Sequence, residues 1–91
     1  MNKEILKEKI DSGNLAAEIR HKLPMYMDPT GFQAQFGVHC LLKEDSLEVI
    51  IKPSKNYKDV LEVMEKFFAR DNFELKKAKE EVHYIQFEFG I

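Results

Sequence analysis

The sequence predicts an α+β domain: a two-layer sandwich in the order α-ββ-α-ββ, with a mostly antiparallel four-stranded sheet and helices on one face. Three observations carry that expectation. Apolar residues recur at helical spacing near the N-terminus and again over residues 56–71. Between and after those stretches the apolar period drops to two. The interruptions are rich in turn formers, such as Asp28-Pro29-Thr30-Gly31 and Lys43-Glu44-Asp45-Ser46. At 91 residues the chain reads as one domain over residues 1–91.

Residues 2–12 place Ile5, Leu6 and Ile10 on one helix face. Gly13 suits the left-handed position past a helix end, and Asn14 is expected to cap a new turn. Leu15, Ala16, Ile19 and Leu23 then repeat at helical spacing until Pro24. One kinked helix or two short ones satisfy this pattern. Residues 28–31 read as a turn, with proline presetting φ at the second position.

A long first strand is expected from Phe32 to Leu42. Phe32, Ala34, Phe36, Val38, Cys40 and Leu42 share one face, and Gln33, Gln35, Gly37, His39 and Leu41 share the other. Gly37 is expected to mark a bulge or the close approach of a helix. A second strand, Leu47 to Lys52, turns Leu47, Val49 and Ile51 inward and stops at Pro53.

The next helix is the clearest element. Asn56 or Ser54 is expected to cap it, with Asp59 in the first turn. Tyr57, Val60, Leu61, Met64, Phe67 and Phe68 form one stripe, while Lys58, Glu62, Glu65 and Lys66 face water. Asp71-Asn72 ends it. Two strands follow, Phe73 to Lys79 and Val82 to Phe89, joined near Glu80-Glu81. Ile85, Phe87 and Phe89 point inward, and Tyr84, Gln86 and Glu88 outward. The lysine-rich third strand reads as a protected edge. The fourth is too apolar for an edge, so the expected strand order is 2-1-4-3 or 1-2-4-3.

Composition narrows the function. Fourteen basic and sixteen acidic residues give a net charge of −2, spread evenly over both halves. A duplex-DNA reader usually shows a basic balance, because phosphate contacts supply most of its affinity. The single cysteine, Cys40, excludes an internal disulfide and a cysteine-based zinc site. The four glycines stand apart at 13, 31, 37 and 90, so no phosphate-cradling loop exists. His39 and Cys40 are adjacent on a strand and point to opposite faces, while His21 and His83 lie far off in sequence. No metal site is expected, since three or four ligands must converge. Cys40 shares a face with Phe36 and Val38, where a cysteine behaves as a small hydrophobe; it is expected to be buried and unreactive. No cofactor and no catalytic residues are expected, and the chain reads as a non-enzyme. The N-terminus lacks an apolar signal core and no long apolar run occurs, so no membrane contact and a cytoplasmic location are expected.

Two surfaces remain. Strand alternation gathers Gln33, Gln35, His39, Leu41, Ile50, Tyr84 and Gln86 on the sheet face away from the helices, with Lys52 and Lys76 alongside and few charges otherwise. Strand direction brings Lys52, Lys55, Lys58, Lys77 and Lys79 to one rim, beside Glu80 and Glu81. Solvation is the bland account of both. The leading expectation is a small intracellular non-enzymatic protein-binding module: an adaptor, inhibitor or regulator, of the size that phages and mobile elements use against host enzymes. Its open sheet face would meet another protein, or a twin as a homodimer. The alternative is a nucleic-acid-binding protein using the lysine rim, with Tyr84 stacking a base.

Overall fold

The computed structural model describes residues 2–23 and 36–91. Among them run helices α1 (Lys3–Asp11), α2 (Asn14–Lys22) and α3 (Tyr57–Ala69), and strands β1 (Gly37–Leu42), β2 (Ser46–Lys52), β3 (Glu74–Glu80) and β4 (Ile85–Gly90). All strand pairs are antiparallel, and the order is β1-β2-β4-β3, the second of the two expected. The fold is α+β in the order α-α-ββ-α-ββ. No helix of the described residues is long and apolar enough to cross a membrane. Gln33, Gln35, the expected turn at 28–31 and the strand residues before Phe36 lie outside the described residues.

The N-terminal helical stretch is two helices. Asn2 caps α1, its side-chain oxygen accepting from the Ile5 N–H at 2.8 Å. Gly13 takes the left-handed conformation between the helices, at φ 80°. It also occupies the N-cap position of α2, so Asn14 is the first helical residue and not the cap. No atom lies within 4 Å of where a Gly13 Cβ would stand, so the demand there is purely conformational. Gly13→Ala should therefore cost about 1–2 kcal/mol, the ordinary penalty of a left-handed L-residue. Urea denaturation checks it, and an unchanged midpoint would mean that the backbone relaxes freely.

Asn56 stands at the N-cap of α3 with left-handed backbone (φ 49°), and its carbonyl accepts from the Val60 N–H at 2.9 Å. At the other end Asn72 turns left-handed at φ 62°. Its N–H donates to the Ala69 carbonyl, and the Phe73 N–H donates to the Phe68 carbonyl. This is the paired hydrogen-bond pattern of a Schellman stop, with its hydrophobic clasp: the Phe68 and Phe73 rings stack at 5.7 Å.

One core lies between the layers. Leu6, Leu15, Ile19 and Leu23 of the first helical pair, with Val60, Met64 and Phe68 of α3, pack on Leu47, Val49, Ile51, Ile85, Phe87 and Phe89 of the two central strands. Phe67 is only half-buried, although it shares the apolar spacing. At about 100° per residue it lies roughly 60° from the centre of the Val60–Met64–Phe68 stripe. The Phe36 ring closes one side of the core, with the Arg20 guanidinium 5.3 Å above it.

Three local expectations change. Gly37 keeps unbroken register opposite Lys52, and the irregularity falls instead in β3 between Leu75 and Lys77. The β3–β4 turn is Val82-His83, closed by the Glu81 N–H donating to the Tyr84 carbonyl at 2.8 Å, so β4 begins only at Ile85. Val82 is consequently 83% exposed. Cys40 is half-buried, because it sits on an outer strand at the border of the core.

Candidate functional site

With the helices packed on one side, the opposite sheet face carries the expected contact residues. Its rows follow from register. One row crosses the sheet as His39, Ile50, Gln86 and Lys79, and the next as Leu41, Glu48, Glu88 and Lys77. His39, Leu41, Ile50 and Gln86 are therefore neighbours in space. Tyr84 is half-buried in the segment just before β4, where its carbonyl accepts from the Glu81 N–H at the β3–β4 turn.

The face carries more charge than alternation alone suggested. Glu48 occupies its centre, with a side chain only 14% exposed. It accepts a hydrogen bond from Gln86 Nε2 at 2.8 Å and forms an ion pair with Lys43 Nζ at 3.1 Å. Lys43 also lies 3.9 Å from Glu88. A desolvated carboxylate needs such partners, and here it has two, so this network holds the middle of the face in one arrangement.

The β3 bulge supplies the rest. The extra residue at Lys76 leaves Leu75 and Ala78 on the core side and brings Lys77 and Lys79 beside Glu88 and Gln86. The Lys76 stem lies over Gly90, in the space that a side chain there would fill. The face is thus graded. Leu41, 55% exposed, and half-buried Ile50 stand on the β1 side; carboxylates occupy the middle; lysines line the β3 side.

The lysine rim is smaller than expected. Lys52, Lys55 and Lys58 are exposed around the end of β2 and the start of α3. Lys79 is near the same end, but its ammonium lies 2.9 Å from Glu81. The hydrogen bond from Lys79 to Glu81, and then the attraction of that carboxylate, raise its pKa. Lys77 opposes Glu88 in mid-strand and does not join the rim. Lys77 stands two residues in from Lys79, and the register on the turn side, Lys79 opposite Gln86 and Glu80 opposite Ile85, holds it there.

His39 points to the open face and Cys40 to the core side, so the adjacent pair cannot share one ligand. Among the described residues no three histidine, cysteine or acidic side chains cluster as a metal site would need. Burial pushes the Cys40 thiol up to about 11, so the reactive thiolate is about one part in ten thousand at pH 7.

Spacing in the sequence did not reveal a second depression, on the helical side. Lys9, Glu18, His21, Lys22, Phe67, Arg70 and Asp71 line a groove of about 300 Å³ between the helices. Lys9 and Glu18 form an ion pair across it at 2.9 Å. Its other cations stand in or just past the last turns of α2 and α3, where basic side chains complement the helix dipole. Compared with protein-family models, curated proteins and solved structures, the chain matches none.

Proposed function

We propose that this chain is a small non-enzymatic protein-binding module acting through its open sheet face. One observation carries the reading: the described helices cover only one side of the sheet, and the other side sets exposed Leu41 and half-buried Ile50 beside a braced polar centre. Binding energy concentrates in a few apolar or aromatic anchors surrounded by ordered polar groups. Ile50 and Tyr84 are the anchors, and the Glu48–Gln86–Lys43 network is the surround. The rim supports the nucleic-acid alternative less, because Lys77 is absent from it and Lys79 is engaged by Glu81.

The test is affinity capture from the native host lysate, with and without nuclease. Three forms are compared after circular dichroism shows that each folds: the native chain, Tyr84→Ala with Ile50→Ser, and Lys52→Glu with Lys55→Glu. The native chain should retain a protein partner after nuclease, the face variant should lose it, and the rim variant should keep it at physiological salt. Loss of all captured material on nuclease treatment or on rim reversal, with the face variant unaffected, would overturn this reading in favour of nucleic acid.

A further inference from the structure

We infer that the edge of β1 that meets no strand among the described residues pairs with β1 of a second copy of this chain, antiparallel about a two-fold axis at Cys40, to make a continuous eight-stranded sheet. The inference concerns an edge and not the face proposed above, and it stands whether or not that face has a partner.

The two edges of the sheet are chemically unlike. β3, ELKKAKE, carries lysines at three of its seven positions and a bulge, both of which discourage strand addition. β1, GVHCLL, carries no acid, no lysine and no proline, and its register with β2 is unbroken. Like-charge repulsion opposes β3 pairing with another β3, and nothing comparable opposes it for β1. A β1–β3 contact between copies would be head-to-tail and would propagate, whereas a β1–β1 contact closes as a dimer.

Hydrogen-bond parity fixes which groups are available. The Lys43 N–H donates to the Ser46 carbonyl at 2.8 Å, closing the β1–β2 hairpin. In an antiparallel pair bonded and non-bonded positions alternate, so Leu41, His39 and Gly37 direct their main-chain groups to β2. Val38, Cys40 and Leu42 direct theirs outward. On the far side of β2, the Ile91 N–H donates to the Asp45 carbonyl, so odd-numbered positions of β2 bond β4 and even-numbered ones bond β1, which is the same alternation.

Register follows from faces. Residues opposite one another in a sheet share a face, so a two-fold pairing of β1 must be centred on a residue. Centring on Cys40 sets Cys40 opposite its twin, Val38 opposite Leu42, and His39 opposite Leu41. All three outward positions are then used, giving six main-chain hydrogen bonds. Moving the centre to His39 or Leu41 leaves one of the three unpaired within the strand. Apolar groups on both sides of the edge also await cover. Cys40 and Leu42 are only partly buried on the core side, while Leu47, Val49 and Ile51 of the neighbouring strand are fully buried; Leu41 is exposed on the open side.

The experiment uses the purified full chain alone. Sedimentation equilibrium from about 10 µM to about 1 mM, which spans association free energies of about −7 to −4 kcal/mol, should show the mass rising from 10.7 kDa toward twice that value. Amide exchange at Val38, Cys40 and Leu42 should slow over the same range, while His39 and Leu41, already bonded to β2, should not change. Leu41→Lys with His39→Lys puts like charges opposite across the axis and should weaken association at least tenfold at low salt. Leu41→Lys with His39→Glu puts opposite charges there and should restore it. A chain that stays at 10.7 kDa throughout would overturn the inference. So would concentration-independent exchange at the three outward amides, or equal behaviour of the two charged variants when both are folded. Should the double-lysine variant fail to fold, the native exchange pattern and the Lys/Glu variant still decide the matter.

Discussion

Phe68→Ala should destabilise the chain by about 3–5 kcal/mol, the range for emptying a buried aromatic site. Phe68 is 1% exposed and touches three rings: Phe67 edge-on at 4.9 Å, Phe73 stacked at 5.7 Å and Phe89 tilted at 4.3 Å. It joins the body of α3, the stop at its end and the central strand β4. Truncation therefore removes transfer energy and aromatic contacts, and loosens the clasp that ends the helix. Phe67→Ala should cost less, about 1–2 kcal/mol, because that ring is half-buried. Glu65→Ala should stay within about 0.5 kcal/mol, as exposed positions do. Chemical denaturation of the three variants measures this order. Equal losses for Phe67 and Phe68 would show that the buried stripe of α3 is centred differently.

Alkaline destabilisation should follow from Cys40. Its folded-state pKa is raised, from an ordinary 9.0 to about 11, by burial of the thiol. A native state that holds its proton more tightly than the unfolded chain gains a contribution that is complete below the unfolded pKa. That contribution disappears as pH rises through the folded one. Two pKa units at about 1.4 kcal/mol each bound the effect, and about 2 kcal/mol should be gone by pH 11. Lysines and tyrosines titrate in the same window, so the readout is a difference. Native stability minus that of Cys40→Ala should be constant from pH 7 to 8 and shrink above pH 9. A flat difference through pH 11 would put the thiol in water. Thiol labelling of the folded chain should be slow at neutral pH for the same reason.

Much of this was legible in the sequence, and where it was not the reasons are physical. Alternation identified the inward faces of β2 and β4, because residues such as Val49 and Phe87 have a helix layer on one side only. The strand order was open between two arrangements, since an apolar strand such as β1 reads the same at an edge or beside one. The structure places β1 at the edge. The β3 bulge was invisible, because Leu75 and Ala78, three apart in a run of lysines, do not keep the period of two that shows which face a strand buries. Lys77 falls in mid-strand, off the rim, because β3 runs on through Glu80, opposite Ile85, before it turns. Glu48 was unremarkable as one acid in an apolar strand; its role depends on Gln86 and Lys43, which only the register brings to it. The open face itself was legible, since it requires only that helices cover one side. The residues Gln33 and Gln35 that alternation added to it lie outside the described residues.

The strand order has a consequence for how the chain reaches this fold. β1 with β2, and β3 with β4, are hairpins whose partners are close in sequence. Among the strand pairs of the sheet, the seam between β2 and β4 is the one that joins distant segments, through Leu47 with Phe89, Val49 with Phe87 and Ile51 with Ile85. Each hairpin can fluctuate into shape early at small cost in loop closure, but neither is stable alone, because a two-stranded ribbon has too little to bury. Forming the seam means closing the whole segment that contains α3 before its contacts repay that cost. Within the sheet the largest loop-closure cost therefore falls on that one seam, and its apolar side chains are the contacts that offset it.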